Sequence, residues 1–259
     1  MGTRSISGVR INGTDKLSYN YFVGYPSAFG ATIYEELSAF FKDRDYAGCI
    51  GELRHRAHGL RLVTADEKPS DADIHYLDTT GATDFTVASG SVDDWYCLTR
   101  QHHGSILKRL MAAIATDEHE FILDSLMCKY GYILNLDDET LEFYVGFQKT
   151  RHTRGRYAGE EVENDAAGDI WYPCALVYAY PLKDLLAFPD SAALADDMEA
   201  REKQLNEAVG LTSPETGPSA GTGVQGFDPA AAAPSTDRVV AFPVKQHVST
   251  PVPGLDDPF

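Results

Sequence analysis

The chain has 259 residues, 43% of them hydrophobic and 11% aromatic, with a formal net charge of −17. It can bury a sizeable core without disulfides or metal, and its acidity argues against general nucleic-acid binding, which needs clustered Lys and Arg. No apolar run is long enough to cross a bilayer and no apolar leader opens the chain, so a cytoplasmic protein is expected, or one carried in a virion assembled there.

From Ser5 to Ile11 apolar and small residues alternate, and Leu17, Tyr19, Tyr21 and Val23 alternate again after Asn12-Gly13. An Asn-Gly pair between alternating runs predicts a β-hairpin, because a tight type I′ turn needs positive φ at both central residues. Pro26 closes the hairpin. Ile33, Leu37, Phe40 and Phe41 then mark one face of a helix from about residue 30 to 43, and Ile50, Leu53, Ala57 and Leu60 mark a second from about 48 to 60. Residues 64–73 read as loop, with short strands expected at Ile74–Leu77 and Phe85–Val87. Val92–Ala115 reads as helical, with Gly104 able to split it, and Thr116-Asp117-Glu118 opens another short helix. Tyr130–Leu136 and Leu141–Phe147 form the second expected hairpin. Residues 148–172 are a long loop, and Cys174–Tyr180, apolar on both faces, is expected as a central strand. Ser191–Val209 is a charged helix with a thin apolar stripe at Leu194, Met198 and Leu205.

Beyond Gly210 the composition changes. Eight of the thirteen prolines lie in residues 210–259, which marks a disordered or extended tail rather than a second core. One apolar stretch interrupts it, with Val239, Val240, Phe242 and Val244 as candidate partner-binding residues in a docking segment at 238–244. The expected architecture is α+β: antiparallel strands packed against helices in a single globular core over residues 1–209, followed by the tail over 210–259.

Two blocks carry a family resemblance. Met1-Gly2-Thr3-Arg4, the first hairpin and Gly24-Tyr25-Pro26-Ser27 before Gly30 form one, and Tyr130 to Gly146 forms the other. Together they resemble an uncharacterised family of bacterial, phage and fungal proteins that begin Met-Gly-Thr-Arg and carry a Tyr-Pro-Ser/Glu-x-x-Gly turn. Val23 and Gly24 stand where that family has acidic or polar residues. The resemblance implies a shape and, through the phage members, a structural or host-interaction setting. It implies no reaction.

Three groups of residues could carry function. Lys149, Arg151, His152, Arg154 and Arg156 concentrate positive charge in one loop, a candidate site for an anion or RNA, because guanidinium groups bind oxyanions bidentately. The blander reading is a solvated loop balanced by Glu160, Glu161, Glu163 and Asp165. Thr3, with Arg4 and Lys16, is the alternative catalytic set. A hairpin, two helices and further strands is the element order of N-terminal-nucleophile hydrolases, whose terminal Thr attacks an amide. Against it, removal of Met1 exposes Gly2, and the plain reading makes Gly2-Thr3-Arg4 the buried start of a strand, with Arg4 in an internal ion pair. The histidines (His55 with His58, His102 with His103, and His119) lack the spacing framework of a metal site, and Asp137-Asp138-Glu139 reads as a turn. Cys49, Cys97, Cys128 and Cys174 read as free thiols. No phosphate-binding, dinucleotide-binding or nucleophile-elbow motif is present, so no metal and no cofactor is implied. The leading expectation is a non-catalytic interaction or assembly protein whose C-terminal arm docks on a protein partner or a neighbouring copy.

Overall fold

The computed structural model describes residues 3–20, 23–64, 66–80, 94–160 and 168–208. The chain divides into two units, Met1–Ser213 and Pro214–Phe259. The second unit, and with it the candidate segment Val239, Val240, Phe242 and Val244, lies outside the described residues, as do Gly2 and Phe85–Val87.

The first hairpin forms as expected. Strands β1 (Ser5–Ile11) and β2 (Thr14–Asn20) pair antiparallel from Ser5↔Asn20 to Ile11↔Thr14. Asn12 and Gly13 both take positive φ, 51° and 74°, as a type I′ turn requires. Gly8 is irreplaceable by geometry, since a Cβ there would sit 2.0 Å from the Lys16 carbonyl oxygen. After Pro26 the chain makes a single π turn, Pro26–Gly30, in which the Tyr25 carbonyl accepts the Ala28, Phe29 and Gly30 N–H groups. Helix α1 (Ala31–Phe41) buries Ile33, Leu37 and Phe41, and α2 (Tyr46–Gly59), capped by Asp45, buries Ile50, Leu53 and Ala57.

The middle of the chain departs from expectation. A strand β3 (Arg61–Val63) follows α2. Ile74–Leu77 lies not in a strand but in helix α3 (Asp71–Thr79), because Ser70 and Asp73 form a reciprocal capping box. The helix expected over 92–115 is broken. Helix α4 (Trp95–Thr99) runs into a 3-10 turn, Ser105 caps a new helix α5 (Ile106–Ala112), and Ala113 in the left-handed region ends it. Strand β4 (Ile114–Thr116) follows and pairs parallel with β3. The short helix expected at Thr116 begins later, as the 3-10 turn His119–Leu123.

Strands β5 (Tyr130–Asn135) and β6 (Thr140–Val145) form the second hairpin, β7 (Ala175–Pro181) follows, and α6 (Leu182–Leu185) and α7 (Ser191–Ala208) close the described chain. The sheet runs β2-β1-β5-β6-β7. The α+β class holds. Three joints of this sheet are antiparallel, and the fourth, β1 with β5, is parallel. Strand β7 is an edge strand rather than a central one. Only Ala175 and Tyr180 are buried in it, Leu176, Val177 and Ala179 are half-buried, and Tyr178 and Pro181 are exposed.

Helices α1, α2, α5 and α7 cover one face of the sheet. Val9, Tyr132, Leu134, Leu141 and Phe143 meet Leu37, Leu53, Leu110 and Met198 there. Phe143 stacks on Tyr132 with ring centroids 5.5 Å apart, a contact of about 1 kcal/mol beyond burial. Arg109 is buried in the same face, donating to Ser7 Oγ and, at 3.5 Å, to the Ser18 carbonyl. Burial pulls its pKa down to about 10. The opposite face packs Ile6, Leu17, Ile133 and Tyr144 against Ile122, Tyr157 and Cys174, so loops rather than helices cover it. That double coverage explains why every residue of β5 is buried.

Candidate functional site

The basic loop does not act as a unit. Gly155, at φ 82°, brings it down onto the outer face of the sheet, where a Cβ would strike Leu176 and Tyr144. Arg156 is thereby driven inward. Its Nε and Nη2 each donate to Asp15 at 2.8 Å, and its Nη1 donates to Glu142 at 2.6 Å and to Tyr144 Oη at 3.1 Å. Arg10 and Tyr157 also donate to Asp15, at 3.0 and 2.9 Å. Asn135 and Tyr144 donate to Glu142 at 2.8 and 3.1 Å. Burial opposes the Arg156 charge, but the Asp15 hydrogen bonds and the surrounding oxygens overcome it and raise its pKa. Burial also raises the pKa of Tyr144 and Tyr157, so neither is an acid near neutrality. Both carboxylates already hold all their partners. The arrangement is a clasp tying β2, β6 and the loop together, and Arg156 is unavailable to a ligand.

The other loop cations stay outside. Lys149, Arg151 and Arg154 are exposed, whereas His152 Nε2 meets the Pro173 carbonyl at 2.8 Å and its Nδ1 receives the Arg154 N–H. His152 therefore shapes the loop.

Thr3, Arg4 and Lys16 are not brought together. Thr3 is buried, with its carbonyl accepting the Gly24 N–H. Arg4 is exposed and touches Met127 Sδ at 3.3 Å instead of forming the internal ion pair expected of it. Lys16 lies opposite Val9, six residues along from Thr3 and so roughly 20 Å away. Its Nζ caps α2, donating to the carbonyls of Ala57 at 2.9 Å and Leu60 at 2.7 Å. Burial lowers its pKa.

The histidines separate as well. His55 and His58 are exposed on α2, and His58 meets Asn12. Burial pushes His102 and His103 down to about 4. Among the described residues no three His, Cys, Asp or Glu side chains cluster as metal ligands would. Cys49, Cys128 and Cys174 are buried free thiols and Cys97 is half-buried. Asp137 closes the turn of the first hairpin from across the sheet, accepting the Asn12 and Gly13 N–H groups at 2.7 and 2.8 Å.

A different surface stands out, and sequence reading missed it. Among the described residues, Tyr25 and Phe147 are exposed large apolar side chains that Lys129 brings to one surface. The exposed Val23, Met127 and Ile170 stand next to these residues in the chain, Val23 before Tyr25, Met127 before Lys129 and Ile170 beside Trp171. Tyr25 packs on Tyr130 at 6.1 Å, and Phe147 meets Trp171 edge-on at 6.2 Å. Lys129 Nζ bridges them, 5.4 Å from the Tyr25 ring, 5.3 Å from Tyr130 and 5.9 Å from Phe147. Lys149 Nζ sits 4.8 Å over Trp171, and Lys149 with residues 168–172, Asp169 among them, lines a groove of about 420 Å³. Val23 and Phe147 both hold positive φ, 59° and 58°. For a β-branched or bulky residue that conformation is a genuine outlier. No sequence signal foretold it, since Val in particular is disfavoured there.

No protein-family model, curated protein or solved structure matches the chain.

Proposed function

We propose that this chain is a non-catalytic interaction or assembly protein that docks through the aromatic and lysine surface around Tyr25, Phe147 and Trp171. The observation that carries the reading is the pair of strained residues. Val23 and Phe147 spend conformational energy, of order 1–3 kcal/mol each, to hold apolar side chains 54% and 45% exposed. Folding recovers part of that cost, through the Phe147 N–H on the Ser125 carbonyl at 2.7 Å and the Phe147 contact with Trp171. A partner that buries the exposed side chains recovers more. Aromatic anchors ringed by polar groups are the usual composition of an interface core.

The apolar stretch Val239, Val240, Phe242 and Val244 would serve as a second docking element, an arm adding to a sheet edge on a partner or neighbouring copy. Its support is sequence composition alone. A phage structural or host-interaction role, in host cytoplasm or virion, is what the family resemblance implies.

The test is a comparison of the full chain with the Phe147→Ser/Trp171→Ser variant and with a chain lacking residues 211–259. Native associations are read by sedimentation velocity and by quantitative affinity purification from the source cells. The surface variant is expected to melt within a few degrees of wild type and to lose its partner. Retention of every association by that variant would sink the surface reading, and retention by the truncated chain would sink the arm.

A further inference from the structure

We infer that the segment received by this surface is an acidic stretch of a partner protein bearing an aromatic or large aliphatic anchor. The inference rests on the interaction reading above and adds the chemistry of the partner. The first argument is sign. In a chain of net charge −17, Arg4, Lys129 and Lys149 border the exposed apolar side chains, and Arg151 and Arg154 continue the band along the loop. None of the five forms an ion pair with another described residue. Glu202, hydrogen-bonded to Tyr130 Oη at 3.2 Å, faces Lys129 only at longer range. Asp169 lines the groove together with Lys149. Cations without an ion-pair partner among the described residues, set around an apolar centre, favour a partner of opposite charge and steer its approach.

The second argument removes the competing occupants. Single-stranded nucleic acid binds such surfaces by stacking bases on open ring faces. Here Lys129 lies over Tyr25 and Phe147, and Lys149 over Trp171, so the faces carry ammonium groups. A two-fold contact between copies would set the patch against itself, bringing Lys129 and Lys149 against their own counterparts. An acidic peptide meets neither obstacle. Its carboxylates reach Lys129 and Lys149, and its apolar anchor covers Phe147, Trp171 and Ile170 at the rim of the groove that Lys149, Asp169 and Tyr172 also line.

The test uses the full chain and fluorescence anisotropy with three labelled probes: a ten-residue peptide of aspartates flanking a Phe-Leu-Phe centre, the same peptide with lysines for aspartates, and a twelve-residue oligouridylate. The acidic probe is expected to bind at least tenfold tighter than either of the others. Lys129→Glu/Lys149→Glu is expected to abolish that preference, and Phe147→Ser to weaken the acidic probe at unchanged charge. Equal affinity for acidic and basic peptides overturns the assignment. So does tighter binding of the oligouridylate, or self-association that Lys129→Glu/Lys149→Glu strengthens. If Phe147→Ser/Trp171→Ser loses the native partner while the probes show no charge preference, the interaction reading stands and the acidic partner falls. If that variant keeps every native association, both fall.

Discussion

Replacing Arg156 by Met tests whether the basic loop is a ligand site or a structural clasp. The guanidinium makes two 2.8 Å bonds to Asp15 and one of 2.6 Å to Glu142, whose side chains are 15% and 7% exposed. Methionine keeps much of the apolar stem and removes the charge, leaving two neighbouring carboxylates with little water. Breaking a buried pair from one side costs about 3–5 kcal/mol. The partial exposure of Asp15 favours the lower end, about 3 kcal/mol. At about 2–4 °C per kcal/mol for a domain of this size, the melting temperature should fall by about 6–12 °C.

Urea unfolding followed by circular dichroism at pH 7 reads this loss, with Arg154→Met, expected within about 0.5 kcal/mol of wild type, as the exposed-loop control. A loss below about 1 kcal/mol would refute the clasp and return Arg156 to the anion-binding set.

Two further outcomes follow from the geometry. Val23→Gly should stabilise the fold by about 0.5–1 kcal/mol, since relief of left-handed strain at φ 59° outweighs the entropy of glycine. A calorimetric melting temperature below wild type would show that Val23 is not strained. His102 and His103, pushed down to about 4 mainly by burial, bind fewer protons folded than unfolded. Their contribution is therefore fully present above the unfolded value near 6.5 and is lost as pH falls towards about 4. The His102→Gln/His103→Gln variant should lose stability less steeply than wild type over that window in denaturant titrations. The raised carboxyls of Glu36 and Glu118 are common to both proteins and cancel in the difference. Parallel pH profiles would contradict the buried, neutral assignment.

Local chemistry determined much of this fold. Asn12-Gly13 makes its turn because two positive φ values suit few other pairs, and that cost is set within four residues. The apolar stripes at Ile33, Leu37 and Phe41, at Ile50, Leu53 and Ala57, and at Leu194, Met198 and Leu205 each face the core as their spacing requires. A legible signal was also overridden by a misleading one. The apolar residues of Ile74–Leu77 suggest a strand, whereas Ser70 and Asp73 already cap a helix.

What tertiary structure alone decided is how distant segments meet. Strand β1 joins β5 in parallel across more than a hundred residues of chain, a pairing with no local marker. The apolar run of β7 suits a central strand and lies at an edge with only Ala175 and Tyr180 buried, because composition reports hydrophobicity and neither the neighbours nor the burial they give. Arg156 reads in sequence like Arg151 and Arg154, and only the descent of the loop at Gly155 onto Tyr144 turns it inward to Asp15 and Glu142. Likewise Tyr25, Lys129, Phe147 and Trp171 are scattered along nearly 150 positions and form one surface only where the sheet's two hairpins and the long loop end side by side. A side chain's burial follows from its own chemistry and its period, but its partners depend on which backbones the whole chain brings within a few ångströms.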